Sequence, residues 1–334
     1  MIVLGIESSC DETAAALVNE KREILAETVL SQEEHKIYGG VVPEIAARSH
    51  LDHIDDVIEH TFHKAGIRPE EVDAIAATSG PGLIGGVVVG VMAAKALSFA
   101  LGKPFVAVNH LEGHALVSRL TNEVEYPYLL LLVSGGHCQI LAVKGVGDYE
   151  RLGTTIDDAA GEAFDKVAKM LGLGYPGGPK IEKKAKEGND KAIVFPKAKV
   201  AENPYDFSFS GLKSAVLNYI NGCKMKRQEI NEADIAASFQ KAVIDVLVEH
   251  AVHAAKEYRI DKFAIAGGVA SNQTLREAME KACKERGIQF YHPSPIFCTD
   301  NAAMIGSAAY YEYLQGRRDG WDLNAVPNLK LGER

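Results

Sequence analysis

The stretch that decides the fold reads Ile2-Val-Leu-Gly-Ile-Glu-Ser-Ser-Cys-Asp-Glu-Thr-Ala-Ala-Ala-Leu-Val18. Two apolar runs of strand length flank a short polar turn, Ser8 to Glu12, which predicts strand, turn and strand. The same pattern returns in Tyr128-Leu-Leu-Leu-Leu-Val-Ser-Gly-Gly-His-Cys-Gln-Ile-Leu-Ala-Val143, with its turn at Ser134 to His137. Further strands and helices follow each copy, so the sequence predicts two related α/β lobes.

The length of the chain supports two lobes. With 334 residues, of which 47% are apolar and 24% charged, it exceeds the size of one ordinary core and has the composition of a folded protein. We expect the first lobe to comprise residues 1–125 and about 301–325, with a helical insertion at 31–63. The second lobe is expected at 126–300, with a loop-like insertion at about 180–213.

Cysteine usage and charge constrain the compartment and the partners. Five scattered cysteines without CxxC spacing favour a reducing compartment, and a strand beginning at Ile2 leaves no room for a presequence. We therefore expect a cytoplasmic location. A net charge of −9 gives no global attraction to nucleic acid, so such a partner would need a local basic patch or a helper protein. The patch predicted here is a set of lysines in the second insertion: Lys180, Lys183, Lys184, Lys186, Lys197, Lys199 and Lys213.

One segment, residues 83–101, is apolar enough to be tested as a membrane span. It contains Lys95, and its glycines Gly82, Gly86 and Gly90 recur every four residues. That spacing also occurs in transmembrane helix pairs. The favoured interpretation is a buried helix whose glycine face lies against a sheet, with no membrane involved.

The pair His110 and His114 has the i, i+4 spacing that places two imidazoles on one helix face, as a metal site requires. Taken alone, the pair is weak support. A zinc protease of the HExxH type would need its glutamate next to the first histidine. Here Glu112 is two residues further on, nearly on the opposite face at about 100° per residue. The protease interpretation is therefore disfavoured.

Glycine turns follow several predicted strands and would let a main chain approach a ligand closely. None matches a dinucleotide fingerprint or a Walker A sequence. Four such turns in two similar lobes indicate a nucleotide cleft. They lie at residues 79–82, 134–137, 177–178 and 267–272.

Acidic residues stand at strand or helix ends at Asp11, Asp165 and Asp300. Each could be a helix cap or a surface residue. Two histidines and a carboxylate would instead form a site for Zn²⁺ or Fe²⁺. The histidines between residues 31 and 63 are expected on a solvated face, whereas His137 is expected near the cleft.

Together these motifs resemble the TsaD family, the tRNA adenosine threonylcarbamoyltransferases. The resemblance runs collinearly from Ile2 to about Leu314. Its motifs are Gly5-Ile-Glu-Ser-Ser-Cys-Asp-Glu-Thr13, Pro43-Glu-Ile-Ala-Ala-Arg-Ser-His50, Ser79-Gly-Pro-Gly-Leu83, His110-Leu-Glu-Gly-His114, Ser134-Gly-Gly-His137 and Gly267-Gly-Val-Ala-Ser-Asn272. The Ser-Gly-Gly-His turn and Asp157-Asp-Ala-Ala-Gly-Glu-Ala-Phe-Asp165 resemble the bacterial and mitochondrial branch.

The resemblance implies an actin/sugar-kinase/Hsp70-like fold and one divalent metal, Fe²⁺ or Zn²⁺, held by His110, His114 and Asp300. It further implies that a threonylcarbamoyl group passes from threonylcarbamoyl-AMP to N6 of adenosine 37 in ANN-decoding tRNAs, with release of AMP. ATP, ADP or AMP can occupy the same cleft. Asp11, in the first turn, is our candidate for proton handling or for positioning a metal-bound water. The substrate-binding positions carried over from the family are Val133, Ser134, Gly135, Gly136, His137, Asp165, Gly178 and Asn272.

The partners implied by the resemblance are tRNA, a TsaB-like degenerate homologue, a TsaE-like ATPase and a synthase that supplies threonylcarbamoyl-AMP. A homodimer is expected if the chain is alone. Three alternatives stay open at this point: the zinc endopeptidase, a small-molecule kinase of the same fold that needs neither histidine, and a nucleotide-gated scaffold.

Overall fold

The computed structural model describes residues 1–122, 124–197, 200 and 203–333. Contacts between residues divide the chain into two compact units. Unit 1 is Met1–Glu123, Gly145–Tyr149 and Asp300–Arg334, and unit 2 is Val124–Lys144 and Glu150–Thr299. The lobe limits expected from the sequence stay a proposal about independently folding domains.

Each unit contains a five-stranded sheet. The strands of the first sheet are β1 Ile2–Glu7, β2 Glu12–Asn19, β3 Ile24–Ser31, β4 Ala74–Gly80 and β5 Phe105–Asn109. The strands of the second sheet are β6 Tyr128–Val133, β7 Cys138–Gly145, β8 Asp148–Thr154, β9 Lys262–Ala266 and β10 Gln289–Tyr291.

The helices of the first sheet's unit are α1 His35–Tyr38, α2 Pro43–Ala65, α3 Ile84–Leu101, α4 His110–Thr121 and α10 Ala302–Leu314. Those of the second are α5 Ala160–Met170, α6 Gly177–Ala185, α7 Ser210–Met225, α8 Glu232–Tyr258 and α9 Gln273–Lys284. Asparagine side chains accept main-chain N–H bonds at the starts of α4, α8, α9 and α10, which explains why these helices begin where they do.

The two sheets have the same topology. Their strand orders are β3-β2-β1-β4-β5 and β8-β7-β6-β9-β10. In the first, β1 is antiparallel to β2 and parallel to β4, and in the second, β6 is antiparallel to β7 and parallel to β9. The prediction of two related α/β lobes is confirmed.

Helix α2 belongs to the core of unit 1. It packs against β2 and α3, and it contributes Ile54, Val57, Ile58 and Phe62 to the same buried cluster as the sheet. The sequence predicted a helix here but assigned it to an insertion with a solvated histidine face. His50 is in fact fully buried on this helix, where Thr13 Oγ1 lies 2.8 Å from Nδ1 and the Cys10 carbonyl 3.0 Å from Nε2.

Helix α3 has the predicted glycine face. A Cβ at Gly86 or Gly90 would collide with Ser8, whose hydroxyl donates to the Gly86 carbonyl at 2.9 Å. The opposite face is not buried, since Ile84, Val88 and Met92 are roughly half exposed. Among the described residues, α3 is the one helix whose length and composition would allow it to cross a bilayer, and 33% of this helix is buried.

Replacing Gly90 by alanine tests this packing. Alanine favours a helix over glycine by about 1 kcal/mol, yet the methyl group has to displace Ser8, and overpacking of this kind costs about 1–3 kcal/mol. We expect Gly90→Ala to lower the free energy of unfolding in urea, followed by circular dichroism.

The matched control is Gly222→Ala in α7, where an added Cβ meets no atom within 4 Å. It should leave the stability unchanged or raise it by up to about 1 kcal/mol. A Gly90→Ala protein as stable as wild type would show that the contact with Ser8 is loose.

Candidate metal centre and substrate-binding turns

Two histidines lie together at the start of α4. This helix begins at His110, immediately after β5, because the Asn109 side chain accepts a hydrogen bond from Leu111 N at 2.9 Å. The rings of His110 and His114 pack edge to face, with centroids 4.8 Å apart. Both are buried, and the contact between their rings confirms the shared helix face that the i, i+4 spacing predicted.

Asp300 completes a three-residue group with this pair. Its Oδ1 lies 3.5 Å from His110 Nε2 and 3.1 Å from His114 Nε2, and all three ligand atoms lie within 4.8 Å of one another. Bonds of about 2.1 Å in tetrahedral geometry separate ligand atoms by about 3.4 Å. Two imidazoles and a carboxylate at these distances therefore fit Zn²⁺ or Fe²⁺.

Behind His110 lies Glu7, a residue to which the sequence assigned no role. Its fully buried carboxylate accepts hydrogen bonds from Ser9 N at 2.6 Å and from Thr78 Oγ1 at 2.6 Å, and lies 3.0 Å from His110 Nδ1. With Nδ1–H donating to this carboxylate, Nε2 is left as the ligand atom. Such a carboxylate behind a metal-binding histidine fixes its tautomer and its orientation.

The electrostatics agree with this assignment. Burial opposes the charge on Glu7, but contact with His110 outweighs it and lowers the pKa of the carboxyl group. Burial likewise opposes a charge on His110, yet Asp300 and Glu7 together raise its pKa to about 9. A cation that binds His110 through Nε2 would therefore compete with a proton for this imidazole.

Two further acidic residues follow β1: Asp11 lies in the turn, and Glu12 is the first residue of β2. Burial, followed by the nearby charges of Asp300 and Asp11, raises the pKa of Glu12 well above its usual value. Asp11 is partly exposed and is not a member of the three-residue group. Its main-chain carbonyl accepts from Gln32 N at 3.1 Å. Glu12, like Glu7, was quoted in the sequence motif without a role.

Two alternatives for the acidic residues are resolved by the structure. The cap of α10 is Asn301, whose side chain accepts a hydrogen bond from Met304 N at 2.9 Å, so Asp300 is not needed as a cap.

Glu112 is buried, but its carboxylate finds no hydrogen-bond partner in the described part of the chain and is absent from the metal group. A zincin-type base is therefore excluded at this position.

In unit 2 the turn after β6 is compact. Ser134 N donates to the His137 carbonyl at 2.7 Å and His137 N to Ser134 Oγ at 3.1 Å, while Val133 is buried in the strand. Gly135 and Gly136 are exposed, with open space where a Cβ would stand. Gly267 has φ +91° and packs against the Val133 carbonyl, so the turns after β6 and β9 lie side by side.

The remaining predicted substrate residues lie in the same unit. Asp165 on α5 accepts from Gly177 N at 2.6 Å, and this contact places the start of α6 beside α5. Gly178, in the first turn of α6, has open space at its Cβ position. Asn272 caps α9 through Leu275 N at 3.0 Å and donates to Gln240 Oε1 at 2.8 Å. Their assignment to substrate stays a proposal.

A family model described as TsaD, tRNA N6-adenosine threonylcarbamoyltransferase, matches residues 23–307. A relative from Clostridium botulinum named tRNA N6-adenosine threonylcarbamoyltransferase is 55% identical over 334 residues, which cover 99% of this chain and 98% of the relative. The chain belongs to the TsaD family.

Solved structures similar to this TsaD family member show the fold. The structure of HypF from T. kodakarensis superposes with a TM-score of 0.64 at 18% identity, over 94% of this chain and 48% of HypF. Component A of the (R)-2-hydroxyglutaryl-CoA dehydratase of Acidaminococcus fermentans superposes with a TM-score of 0.56 at 15% identity, over 95% and 100% of the two chains. The actin/sugar-kinase/Hsp70-like fold expected from the sequence is confirmed.

Membership of the TsaD family makes the chain an acyltransferase acting on tRNA, and the family implies a metal. The group of His110, His114 and Asp300 fits that metal in ligand type and in spacing. The kinase alternative needs neither histidine and does not account for this ligand set, and the endopeptidase alternative lacks a glutamate placed as in HExxH.

The role of Glu7 in this TsaD family member can be tested by Glu7→Gln. The amide keeps the shape of the side chain but no longer fixes the His110 tautomer by charge. We expect Zn²⁺ affinity, measured by competition with a chromophoric chelator, to fall about ten- to hundredfold, as for other residues behind metal ligands.

The matched control is Glu112→Gln. It neutralises a buried carboxylate on α4, the helix that carries His110, but outside the metal group. It should bind Zn²⁺ like wild type. Equal losses in the two variants would mean that any buried charge near α4 supports the metal, against a specific role for Glu7.

Proposed function

We propose that this chain transfers the threonylcarbamoyl group of threonylcarbamoyl-AMP to N6 of adenosine 37 in ANN-decoding tRNAs, with His110, His114 and Asp300 holding one divalent metal. The observation that carries the proposal is the buried ligand group backed by Glu7, in a chain 55% identical to a named tRNA N6-adenosine threonylcarbamoyltransferase.

The reaction places clear demands on the protein. The N6 amine attacks the carbamoyl carbon, the bond from that carbon to the phosphate oxygen of AMP breaks, and one amine proton is lost. An adenine amine is a poor nucleophile, so the protein has to orient both reactants and stabilise the charge that develops. Asp11 is partly exposed and lies near Glu12, which in turn lies near Asp300. We assign Asp11 to accept the amine proton.

A divalent cation at this group, when bound, would polarise a carbonyl oxygen of the threonylcarbamoyl group as a Lewis acid. Two nitrogen ligands and one oxygen ligand suit Fe²⁺ and Zn²⁺ alike. Ligand positions beyond these three would be available to substrate, as in other catalytic sites with three protein ligands.

The adenylate part of the donor is assigned to unit 2. The residues proposed to bind it are Val133, Ser134, Gly135, Gly136, His137, Asp165, Gly178 and Asn272. What supports this assignment is the open space beside Gly135, Gly136 and Gly178, since a main chain without side chains can contact a ligand closely. ATP, ADP and AMP share the adenylate moiety and would compete at the same residues.

Gly178→Ala tests this assignment without disturbing the fold. An added Cβ meets no atom of the protein within 4 Å, so the melting temperature should stay unchanged. If adenylate lies against Gly178, the methyl group should weaken AMP binding, measured by calorimetry, by about tenfold, as expected from the 1–3 kcal/mol cost of overpacking.

The control is again Gly222→Ala, which adds a methyl group to an open helical position away from the substrate residues. Unchanged AMP affinity in Gly178→Ala would remove Gly178 from the adenylate site.

Ion pairs distinguish the lysines of the tRNA surface that the sequence predicts. Lys197 pairs with Asp245 and Glu249, and Lys213 lies 3.4 Å from Asp158. Lys184 pairs with Glu187. Lys199 lies outside the described residues. A lysine that already pairs with a carboxylate gains less binding free energy from a phosphate group. We therefore assign tRNA contact to Lys180, Lys183 and Lys186, which are exposed. The target base, in a single-stranded loop, can be presented without melting a duplex.

We propose the family's partners for this chain too: a TsaB-like degenerate homologue, a TsaE-like ATPase and a synthase that supplies threonylcarbamoyl-AMP in the cytoplasm. The exposed apolar face of α3, with Ile84, Val88, Met92 and Phe99, supports a protein partner on unit 1. Without the homologue, a second copy of this chain would cover the same face.

The transfer itself is tested by reconstitution with threonylcarbamoyl-AMP, unmodified tRNA and the partner proteins. We expect N6-threonylcarbamoyladenosine in the digested tRNA, detected by mass spectrometry. His110→Ala should slow its formation by at least about 100-fold, because Lewis-acid stabilisation is worth several kcal/mol and 1.36 kcal/mol is tenfold.

His53→Ala is the matched control, since His53 is an exposed histidine of the same unit. It should retain full activity. No modified nucleoside from the wild-type protein with its partners would overturn the proposed function, and full activity in His110→Ala would remove the metal from it.

A further inference from the structure

The last stretch of the chain runs along unit 1 without regular helix or strand. We call residues 317–330, which follow α10, the C-terminal strap. The strap starts at a buried ion pair of Arg317 with Glu312. Asp319 then extends the first sheet, because its N–H donates to the Phe105 carbonyl at 2.9 Å and its carboxylate accepts from Ala107 N at 2.8 Å. The strap thereby covers β5, which is an edge strand.

The middle of the strap is held by α3. The ammonium group of Lys95, a largely buried residue, donates to the main-chain carbonyls of Trp321 (2.9 Å) and Leu323. The Trp321 ring packs edge-on against Phe99 of the same helix, with centroids 5.7 Å apart. Lys95 thus holds a part of the strap whose main chain is not paired with a strand.

The end of the strap lies over the carboxyl ends of β4 and β5. Val326 N donates to the Ser79 carbonyl at 2.8 Å, and Gly82 N donates to the Pro327 carbonyl at 3.1 Å. Leu329 is buried, and beyond it the Lys330 carbonyl accepts a hydrogen bond from Asn109 Nδ2 at 2.8 Å. This last contact reaches the residue directly before the first metal ligand.

Asn109 is buried and uses both ends of its amide. Its Nδ2 donates to the strap, and its Oδ1 accepts from Leu111 N at 2.9 Å and so caps α4. The strap therefore fixes the rotamer of the cap, and the cap fixes the first turn of the helix that carries His110. Second-shell contacts of this kind hold metal ligands in their productive orientation.

We propose that Asn109, held by the carbonyl of Lys330, is a positioning residue for the metal centre, and that metal binding in turn fastens the end of the strap. This inference rests on the proposed metal function. Coupling between two sites is reciprocal, so a strap that raises metal affinity has to be stabilised by the metal to the same extent.

The test compares two substitutions, one at each end of helix α4, in the full chain. Asn109→Ser keeps a residue that caps helices well but is too short to reach Lys330. Asn122→Ser is the matched control at the other end of α4. We expect Zn²⁺ affinity, measured by chelator competition, to fall about tenfold in Asn109→Ser and to be unchanged in Asn122→Ser.

The second readout is tryptic cleavage after Lys330, whose exposed side chain becomes a substrate when the strap end detaches. Zn²⁺ should slow this cleavage several-fold in wild type and in Asn122→Ser, but not in Asn109→Ser. A merely structural role of Asn109 would not make the protection depend on metal. If Asn109→Ser folds poorly, Leu329→Asn is the alternative, because it loosens the strap end by placing a polar side chain at a buried position of the strap itself. It should lower Zn²⁺ affinity and abolish the Zn²⁺-dependent protection from trypsin in the same way.

The outcomes separate the two proposals. Equal Zn²⁺ affinity in wild type and His110→Ala would overturn the proposed metal centre, and this inference with it. A second outcome is that wild type binds Zn²⁺ more tightly than His110→Ala does, while Asn109→Ser has the Zn²⁺ affinity and the protection from trypsin of wild type. This outcome would overturn the role of Asn109 but not the proposed metal centre.

Discussion

The buried carboxylate of Glu7 is the group on which the arrangement of unit 1 depends. An ionised carboxylate without partners inside a protein is very costly, so each of its hydrogen bonds has to be present at once. Its donors come from the following turn, from β4 and from α4: Ser9 N, Thr78 Oγ1 and His110 Nδ1. Satisfying one charge therefore fixes the register of two strands and the start of a helix, and it leaves His110 Nε2 aimed at Asp300.

The same turn is held from its other side by helix packing. Because Gly86 and Gly90 carry no side chains, α3 approaches Ser8 closely enough for the Ser8 hydroxyl to bond the Gly86 carbonyl. On a different part of its surface, α3 binds the strap through Lys95. One helix thus supports both the turn beside His110 and the segment that reaches Asn109. This explains why so apolar a helix has glycines and a lysine at those positions.

Much of this could be predicted from sequence because it follows from local patterns. Alternation of apolar runs with polar turns predicted both copies of the sheet, and the i, i+4 histidines predicted one shared face. Glu7 was missed because it stands within a strand, where only the contacts of its neighbours in space show what a carboxylate does. His50 was expected on a solvated face because its helix is rich in charge, but its ring lies towards Thr13. The strap has no periodicity, so its contacts are visible only in the folded chain.

The two units share one topology but have different residues in the corresponding turn. In both, the turn between the first two strands lies next to the carboxyl end of the neighbouring parallel strand, the usual place for ligands in α/β sheets. In unit 1 Asp11 lies in this turn, Glu7 precedes it as the last residue of β1, and Glu12 follows it as the first residue of β2. In unit 2 the equivalent turn contains Gly135 and Gly136, with open space and exposed main chain that suit an anionic or uncharged ligand. A single backbone arrangement therefore presents carboxylates in one unit and exposed main chain in the other.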